Sequence, residues 1–441
     1  MMTPEMETED PAPTETAVET PVDASVAASA AASLSGDEPP GGEPPAGDVT
    51  GEEDEASQRK RRLLLLLLLL LLLLCCCIGF FIIRYLMKPQ SLPQMLPTEV
   101  AFCQEPVYRS AINGVDAPIS VAVSPDDQRV YVAESGGERL VKVFDRNGRL
   151  LNRFAPPGTD KANREPKYMA IDAKGRVYLV DRTSSAIDIY DADGKFIDAI
   201  IGQHMTLSKF MALNIKGGLP AGGEFTHYEG INRVLTYKLP DGKEETIKIV
   251  FPADEPPWSP LGLRFDAKGD LIYTDTTEGL HSVNIIPAAS LQGNLAAFNP
   301  QIESFGSQGS AKDQFDFPQT VVLDGKENFY VSDGNNARID IWTPDMQYKS
   351  FFGFGSSTQG ALNLPRGTWM APRNCLYVAD AVGSLIRVYN LSGEEPALAF
   401  ELGGFGIEEG QFNYPTDVII DGTGRLYVTD RANNRIQIWS Y

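Results

Sequence analysis

Six acidic residues close six copies of one phrase, and they are the first candidates for chemistry in this chain. The copies are Val130-Tyr131-Val132-Ala133-Glu134, Val177-Tyr178-Leu179-Val180-Asp181, Leu271-Ile272-Tyr273-Thr274-Asp275, Phe329-Tyr330-Val331-Ser332-Asp333, Leu376-Tyr377-Val378-Ala379-Asp380 and Leu426-Tyr427-Val428-Thr429-Asp430. A column of carboxylates is tempting as a site, but repetition argues for structure. An acid at the same turn of every unit is most economically a brace that accepts hydrogen bonds from local backbone N–H groups or from a nearby arginine. The arginines Arg338, Arg387 and Arg435 read the same way, as partners of these acids.

Other reactive side chains are few. The chain has three histidines, His204, His227 and His281. No two are closely spaced, although His204, His227 and a carboxylate such as Glu229 could together form a zinc site. No catalytic residue is singled out. Of the five cysteines, Cys75, Cys76 and Cys77 lie together in an apolar run. Cys103 and Cys375 are isolated and read as two separate buried thiols, with a disulfide between them as the alternative. No CxxC pair or zinc spacing is present. Glycine-rich stretches such as Gly353-Phe354-Gly355 lack the Lys-Ser/Thr of a phosphate loop.

The elements that must position these residues follow from the period. Successive acids are 47, 94, 58, 47 and 50 residues apart by subtraction. A repeat of 40–50 residues built from strands is the mark of a β-propeller. Each unit begins with a proline and an apolar stretch, as in Pro118-Ile119-Ser120-Val121 or Pro415-Thr416-Asp417-Val418. The acidic phrase follows a polar turn. A third strand ends in an aromatic (Phe144, Tyr190, Trp342, Tyr389, Trp439), and turns such as Asn147-Gly148 and Asp193-Gly194 are strong hairpin signals. The predicted fold is all-β, a six-bladed propeller over 104–441.

The interval from Asp181 to Asp275 is double length and leaves a seven-bladed alternative open. The preferred reading is an irregular insertion at about 202–255. In it Thr206 caps a short helix with Leu207, Phe210 and Met211 on one face, Gly217-Gly218 stops it, and a hairpin follows. Loops placed by a rigid scaffold carry function more often than the scaffold. This region therefore supplies the binding candidates His204, His227, Tyr228 and Trp258. The last unit stops after its third strand, and the spare strand 107–112 is expected to complete it, which removes an open sheet edge.

The units resemble the NHL-repeat family, most clearly in Asn433-Asn434-Arg435-Ile436-Gln437-Ile438-Trp439 and Asn335-Asn336-Ala337-Arg338-Ile339-Asp340-Ile341-Trp342. The resemblance covers about three quarters of the chain. It implies a propeller, most often six-bladed, and often an extracytoplasmic sensor or binding domain. Lyase propellers lean on several histidines and often a metal, and lactonase-type propellers on a central calcium. No ordered pattern here singles out ligands for either, so no cofactor is assigned, with calcium and zinc left open.

The N-terminal residues differ in kind. Residues 1–58 are rich in Pro, Glu, Ala, Thr, Ser and Gly, too polar to offset their ordering entropy, and read as a disordered acidic tail. Residues 59–88 read as a transmembrane helix with a basic flank. The apolar run 63–83 would span about 31 Å, and twelve consecutive leucines contribute roughly −0.5 kcal/mol each toward insertion. Arg59-Lys60-Arg61-Arg62 precede it, so the positive-inside rule places the tail in the cytoplasm and the propeller outside. Residues 89–103 form a proline-bearing linker. The whole chain has 38 Lys+Arg against 59 Asp+Glu, and 32 against 43 of these lie in 101–441. Nucleic-acid binding needs a positive footprint, which this balance disfavours. The functional expectation is a membrane-anchored extracytoplasmic binding or scaffold module for an envelope or extracellular protein. A metal-dependent lyase or lactonase-like hydrolase is the alternative, and the sensor half of a signalling assembly a second.

Overall fold

In the computed structural model, residues 52–87, 103–230, 232–250, 257–355 and 360–441 are described. The expected tail 1–58 falls largely outside these residues, and the expected linker 89–103 almost wholly outside. The chain divides into two units, 1–93 and 94–441. The first contains one helix, Glu52–Met87, within which Arg59–Phe80 is long and apolar enough to cross a membrane, with a mean hydropathy of 3.3. Leu63 to Leu74 are all exposed. Among the described residues of this unit none buries them.

The second unit is a β-propeller. Blade 1 comprises Pro118–Val123, Arg129–Glu134, Val141–Asp145 and Leu150–Phe154. Blade 2 comprises Pro166–Ile171, Val177–Asp181, Ala186–Tyr190 and Phe196–Gly202, with the short strand Met205–Thr206 added at its edge. Blade 3 is Pro260–Phe265, Leu271–Asp275, Ser282–Ile286 and Glu303–Phe305. Blade 4 is Pro318–Leu323, Phe329–Asp333, Arg338–Trp342 and Tyr348–Phe352. Blade 5 is Pro365–Ala371, Cys375–Asp380, Leu385–Asn390 and Ala397–Gly403. Blade 6 is Pro415–Ile420, Arg425–Asp430 and Arg435–Ser440, completed by Val107–Ile112 from the other end of the unit. That last strand runs antiparallel to Arg435–Ser440, with Val107 opposite Ser440 and Ile112 opposite Ile436.

The first strands of the blades are neighbours in cyclic order, and the first strand of blade 2 lies directly against that of blade 3. Each begins with a proline opposite the acid of the next strand: Pro118 faces Glu134, Pro166 Asp181, Pro260 Asp275, Pro318 Asp333, Pro365 Asp380 and Pro415 Asp430. Proline is tolerated at the first residue of a strand, where a ladder N–H is dispensable. All six acids therefore lie at one end of the central channel, called here the proline mouth. The tyrosines of the repeated phrase fill the spaces between blades, and Tyr131, Tyr178, Tyr273, Tyr377 and Tyr427 are essentially inaccessible to solvent.

The insertion lies outside this ring. Thr206 caps the helix Leu207–Asn214, its hydroxyl accepting from the Lys209 N–H at 3.1 Å, and Leu207, Phe210 and Met211 are its buried residues. After the helix the expected hairpin is a three-stranded sheet, Glu224–Glu229, Val234–Lys238 and Glu244–Lys248. The strand Glu224–Glu229 was not anticipated, because glycines surround it and its apolar positions are only Phe225 and Tyr228. These two rings pack with Leu235, Tyr237 and Ile249 against Phe154 and Phe196 on the outer strands of blades 1 and 2. The sheet is thus an outer buttress.

Cys103 and Cys375 form a disulfide, with Cα atoms 5.6 Å apart, which corrects the expectation of separate thiols. Sequence separation concealed the pairing, since 272 residues lie between them. Closure of blade 6 by Val107–Ile112 brings the preceding Cys103 beside blade 5, where Cys375 begins the second strand.

Candidate functional site

The six repeated acids are turned into the fold. Each accepts the backbone N–H of a residue 16–18 positions earlier, in the segment that leads into its blade. Glu134 accepts from Asp116 at 2.8 Å, Asp181 from Glu165 at 3.0 Å and Asp275 from Ser259 at 3.1 Å. Asp333 accepts from Asp316 at 2.6 Å, Asp380 from Leu364 at 2.9 Å and Asp430 from Asn413 at 2.7 Å. Arg338 lies 3.2 Å from Asp333, Arg435 lies 2.7 Å from Asp430, and Arg387 pairs with Asp380. Burial pushes the Asp181, Asp275 and Asp333 carboxyls above their ordinary value. Each carboxylate is engaged by the segment that leads into its blade, so this geometry suits a brace within and between blades.

The binding candidates do not converge. Tyr228 is buried in the insertion's core, stacked on Phe196 at 6.0 Å. Trp258 is buried against Tyr273 between blades 2 and 3. His227 is half-buried, with Nε2 3.7 Å from Glu229. His204 is exposed and lines a polar cleft of about 540 Å³ together with Gln203, Asp275 and Asn284. His281 is buried and faces the backbone of Phe315 and Phe317. Among the described residues, no group of three or more His, Cys, Asp or Glu side chains is arranged to hold a metal ion.

Buried polar groups tie the inner strands of different blades to one another. Asp417 on blade 6 accepts from the Ser120 hydroxyl at 2.7 Å and the Val121 N–H at 3.1 Å on blade 1. Burial pushes its carboxyl up to about 6, opposed by the charge of Arg264 on blade 3. The Tyr168 hydroxyl of blade 2 reaches past blade 1 to donate to the Thr416 carbonyl at 3.1 Å. Towards the other mouth, the Arg264 guanidinium stacks over Trp369 at 4.8 Å, at one wall of a cavity of about 220 Å³ shared with Phe265, Leu323 and Met370.

The proline mouth has a different lining, which the sequence reading missed. Arg182 donates to the Thr276 hydroxyl at 2.9 Å and lies over the Phe317 ring at 5.7 Å. The Gln319 amide donates to the Phe317 carbonyl at 3.1 Å, and its oxygen accepts from Arg366 at 2.8 Å. Arg366 also donates to the Tyr414 hydroxyl at 3.0 Å. Arg431 lies over the Tyr414 ring at 5.7 Å and donates to the Ser135 hydroxyl at 3.2 Å. These contacts run round the mouth through all six blades. A signal existed in the sequence. Arg182 and Arg431 directly follow repeat acids, whereas Ser135, Thr276, Gly334 and Ala381 occupy that position elsewhere. Phe317 and Tyr414 precede the inner-strand prolines, where other blades have Ala117, Glu165, Ser259 and Leu364.

Around the mouth, several large apolar side chains are exposed on loops of blades 4 to 6. Phe354 is 61% exposed, Val382 60%, Phe405 77% and Ile407 71%. The loop carrying Phe405 is held to the Val382 turn by the Gly404 N–H, which donates to the Ser384 carbonyl at 3.1 Å.

The chain is similar in part to known proteins. An NHL-repeat family model matches residues 412–439. Similar solved structures include a virginiamycin B lyase from Staphylococcus aureus, at 13% identity and a TM-score of 0.46, covering 75% of this chain and 98% of that one. U3-55K matches at 12% identity and a TM-score of 0.47, covering 76% of this chain and 100% of that one. A protein of unknown function from Bacteroides thetaiotaomicron matches at 15% identity and 0.46, covering 76% and 73%. The matched repeat lies in blade 6, and the same proline, acid and aromatic positions recur in the other blades of this β-propeller.

Proposed function

We propose that this chain is a single-pass membrane protein whose extracytoplasmic propeller binds an envelope or extracellular protein through its proline face. The observation that carries this reading is the set of exposed apolar side chains there, Phe354, Val382, Phe405 and Ile407. Large exposed apolar groups gathered on one face mark interaction surfaces more often than they mark ordinary solvated loops. The scattered histidines and the occupied repeat acids favour binding over the lyase or hydrolase alternative. The Cys103–Cys375 disulfide supports the extracytoplasmic side, since such bonds persist in oxidising compartments. The apolar helix Arg59–Phe80 supports the anchor, and the four basic residues at 59–62 support a cytoplasmic N-terminus.

The test is cross-linking on intact source cells, with the full chain as bait and mass spectrometry of what is captured. Wild type is expected to capture one reproducible envelope protein, cross-linked near Phe354 and through the 403–412 loop. The double variant Phe405→Ser, Ile407→Ser is expected to lose it. Equal capture by the variant, or no reproducible partner for well-expressed wild type, overturns the reading.

A further inference from the structure

We infer that the proline mouth is an anion-binding site that receives an acidic segment, Asp or Glu side chains, of a protein partner. The proposal deepens the protein-binding reading above and rests on it. Its basis is the pairing state of the arginines. Arg338, Arg387 and Arg435, one position set further out, are neutralised by Asp333, Asp380 and Asp430. Arg182, Arg366 and Arg431 hold hydrogen bonds only to neutral groups, and no carboxylate lies within ion-pair distance of them among the described residues. Each is half-buried. The Arg366 Nε is a buried donor with no partner.

An unpaired guanidinium beside low-dielectric aromatic surface is costly, and three in one ring require a reason. The surroundings sharpen the point. Residues 101–441 carry 43 acids against 32 bases, yet this ring has three cations without a carboxylate partner among the described residues. The repeat acids behind the ring do not cancel it by contact, because their oxygens are held by the N–H groups of Asp116, Glu165, Ser259, Asp316, Leu364 and Asn413.

The neutral partners also pre-orient the ring. Thr276 and Ser135 each engage one nitrogen of Arg182 and of Arg431 and leave the others available, while Gln319 and Tyr414 hold the two terminal nitrogens of Arg366 in place. Such a fork binds a carboxylate with two parallel hydrogen bonds. Phe354, Val382, Phe405 and Ile407, exposed on the blade 4 to 6 side of the same face, offer apolar contact to the rest of a partner segment.

The experiment is fluorescence anisotropy of labelled hexaglutamate with the full chain in detergent, at low and high salt, beside hexaglutamine and inorganic phosphate. Hexaglutamate is expected to bind at low salt and hexaglutamine not, even though an acidic protein repels the former everywhere else. Arg182→Gln, Arg366→Gln and Arg431→Gln should each weaken binding about tenfold, the value of one charge-assisted hydrogen bond. Arg129→Gln, which breaks a pair with Asp193 away from the mouth, should not. Melting curves check folding. If Arg366→Gln fails to fold, Arg366→Lys keeps the charge without the fork and should weaken binding by several-fold. Equal binding of both peptides, unchanged binding by all three glutamine variants, or competition-proof binding of phosphate alone overturns the proposal. Partner capture that depends on Phe405 and Ile407 would still stand in that case, so the two readings fail separately.

Discussion

Breaking the Cys103–Cys375 bond should lower the stability of the propeller by an amount set by the length of chain it closes. The two cysteines are 272 residues apart. In the chain-entropy treatment a cross-link over that loop removes unfolded-state entropy worth about 5–6 kcal/mol at 25 °C. Unfolding entropy of about 2 cal/mol/K per residue gives the 339 residues of 103–441 roughly 0.7 kcal/mol/K, so the expected loss in Tm is about 8 °C. Reduction leaves the packing in place, because Cys375 is 1% exposed and a buried thiol behaves as a small apolar group. Calorimetry of the wild type with and without a phosphine reductant reads the effect. Cys103→Ala, at a half-buried position, should melt at the reduced wild-type temperature and ignore the reductant. Thiol titration must show two additional free thiols in the reduced wild type. An unchanged Tm alongside those freed thiols refutes the entropy argument. Full titration of both thiols before reduction refutes the bond itself.

Two further predictions concern the ring. Deleting 104–114 removes Val107–Ile112 and exposes the edge of Arg435–Ser440, so the domain should aggregate or lose its cooperative melting transition; a truncated chain that melts like wild type would show the closing strand to be dispensable. Asp417 has a folded-state pKa near 6 against 3.8 for the exposed group, raised chiefly by burial. Its contribution to stability is fully present below 3.8 and is lost as pH rises through 6, about 3 kcal/mol across that window. Tm should therefore fall between pH 4 and pH 6.5, and Asp417→Asn should flatten that slope even if it lowers stability at every pH. Asp198 is also pushed up to about 6 by burial, so a residual slope should remain in the variant. An identical slope in wild type and variant would mean that Asp417 does not titrate in this range.

The propeller was legible because its repeated positions answer to local rules. Proline at a strand start, Asn-Gly or Asp-Gly at a hairpin and an acid at a fixed turn each have a short-range cause, and each recurs. The helix of the insertion was legible for the same reason, through Thr206 and the spacing of Leu207, Phe210 and Met211. What escaped was long-range. The disulfide joins residues brought together only when the ring closes. The strand Glu224–Glu229 has a weak pattern and exists because Phe225 and Tyr228 find an apolar wall on blades 1 and 2. Tyr228 and Trp258 looked like recognition residues because aromatics in an irregular segment often are, but this segment is held on by its aromatics, which bury them.

The mouth shows how repetition and its failure divide the labour. Where one residue type recurs in every blade, as with Glu134, Asp181, Asp275, Asp333, Asp380 and Asp430, the cause must be common to every blade, and N–H groups in every leading segment supply it. A site for an asymmetric ligand needs the opposite, side chains that differ from blade to blade around one axis. The positions flanking the acids and prolines supply that difference in Arg182, Phe317, Arg366, Tyr414 and Arg431. Beneath the mouth the inner strands are tied together, Tyr168 bonding Thr416 across blade 1 and Asp417 bonding Ser120 and Val121. A catalytic pocket draws its substrate out of water, whereas a shallow cationic ring within exposed apolar loops leaves its ligand half solvated. On the proposed reading, such a surface discriminates partners by charge placement and association rate.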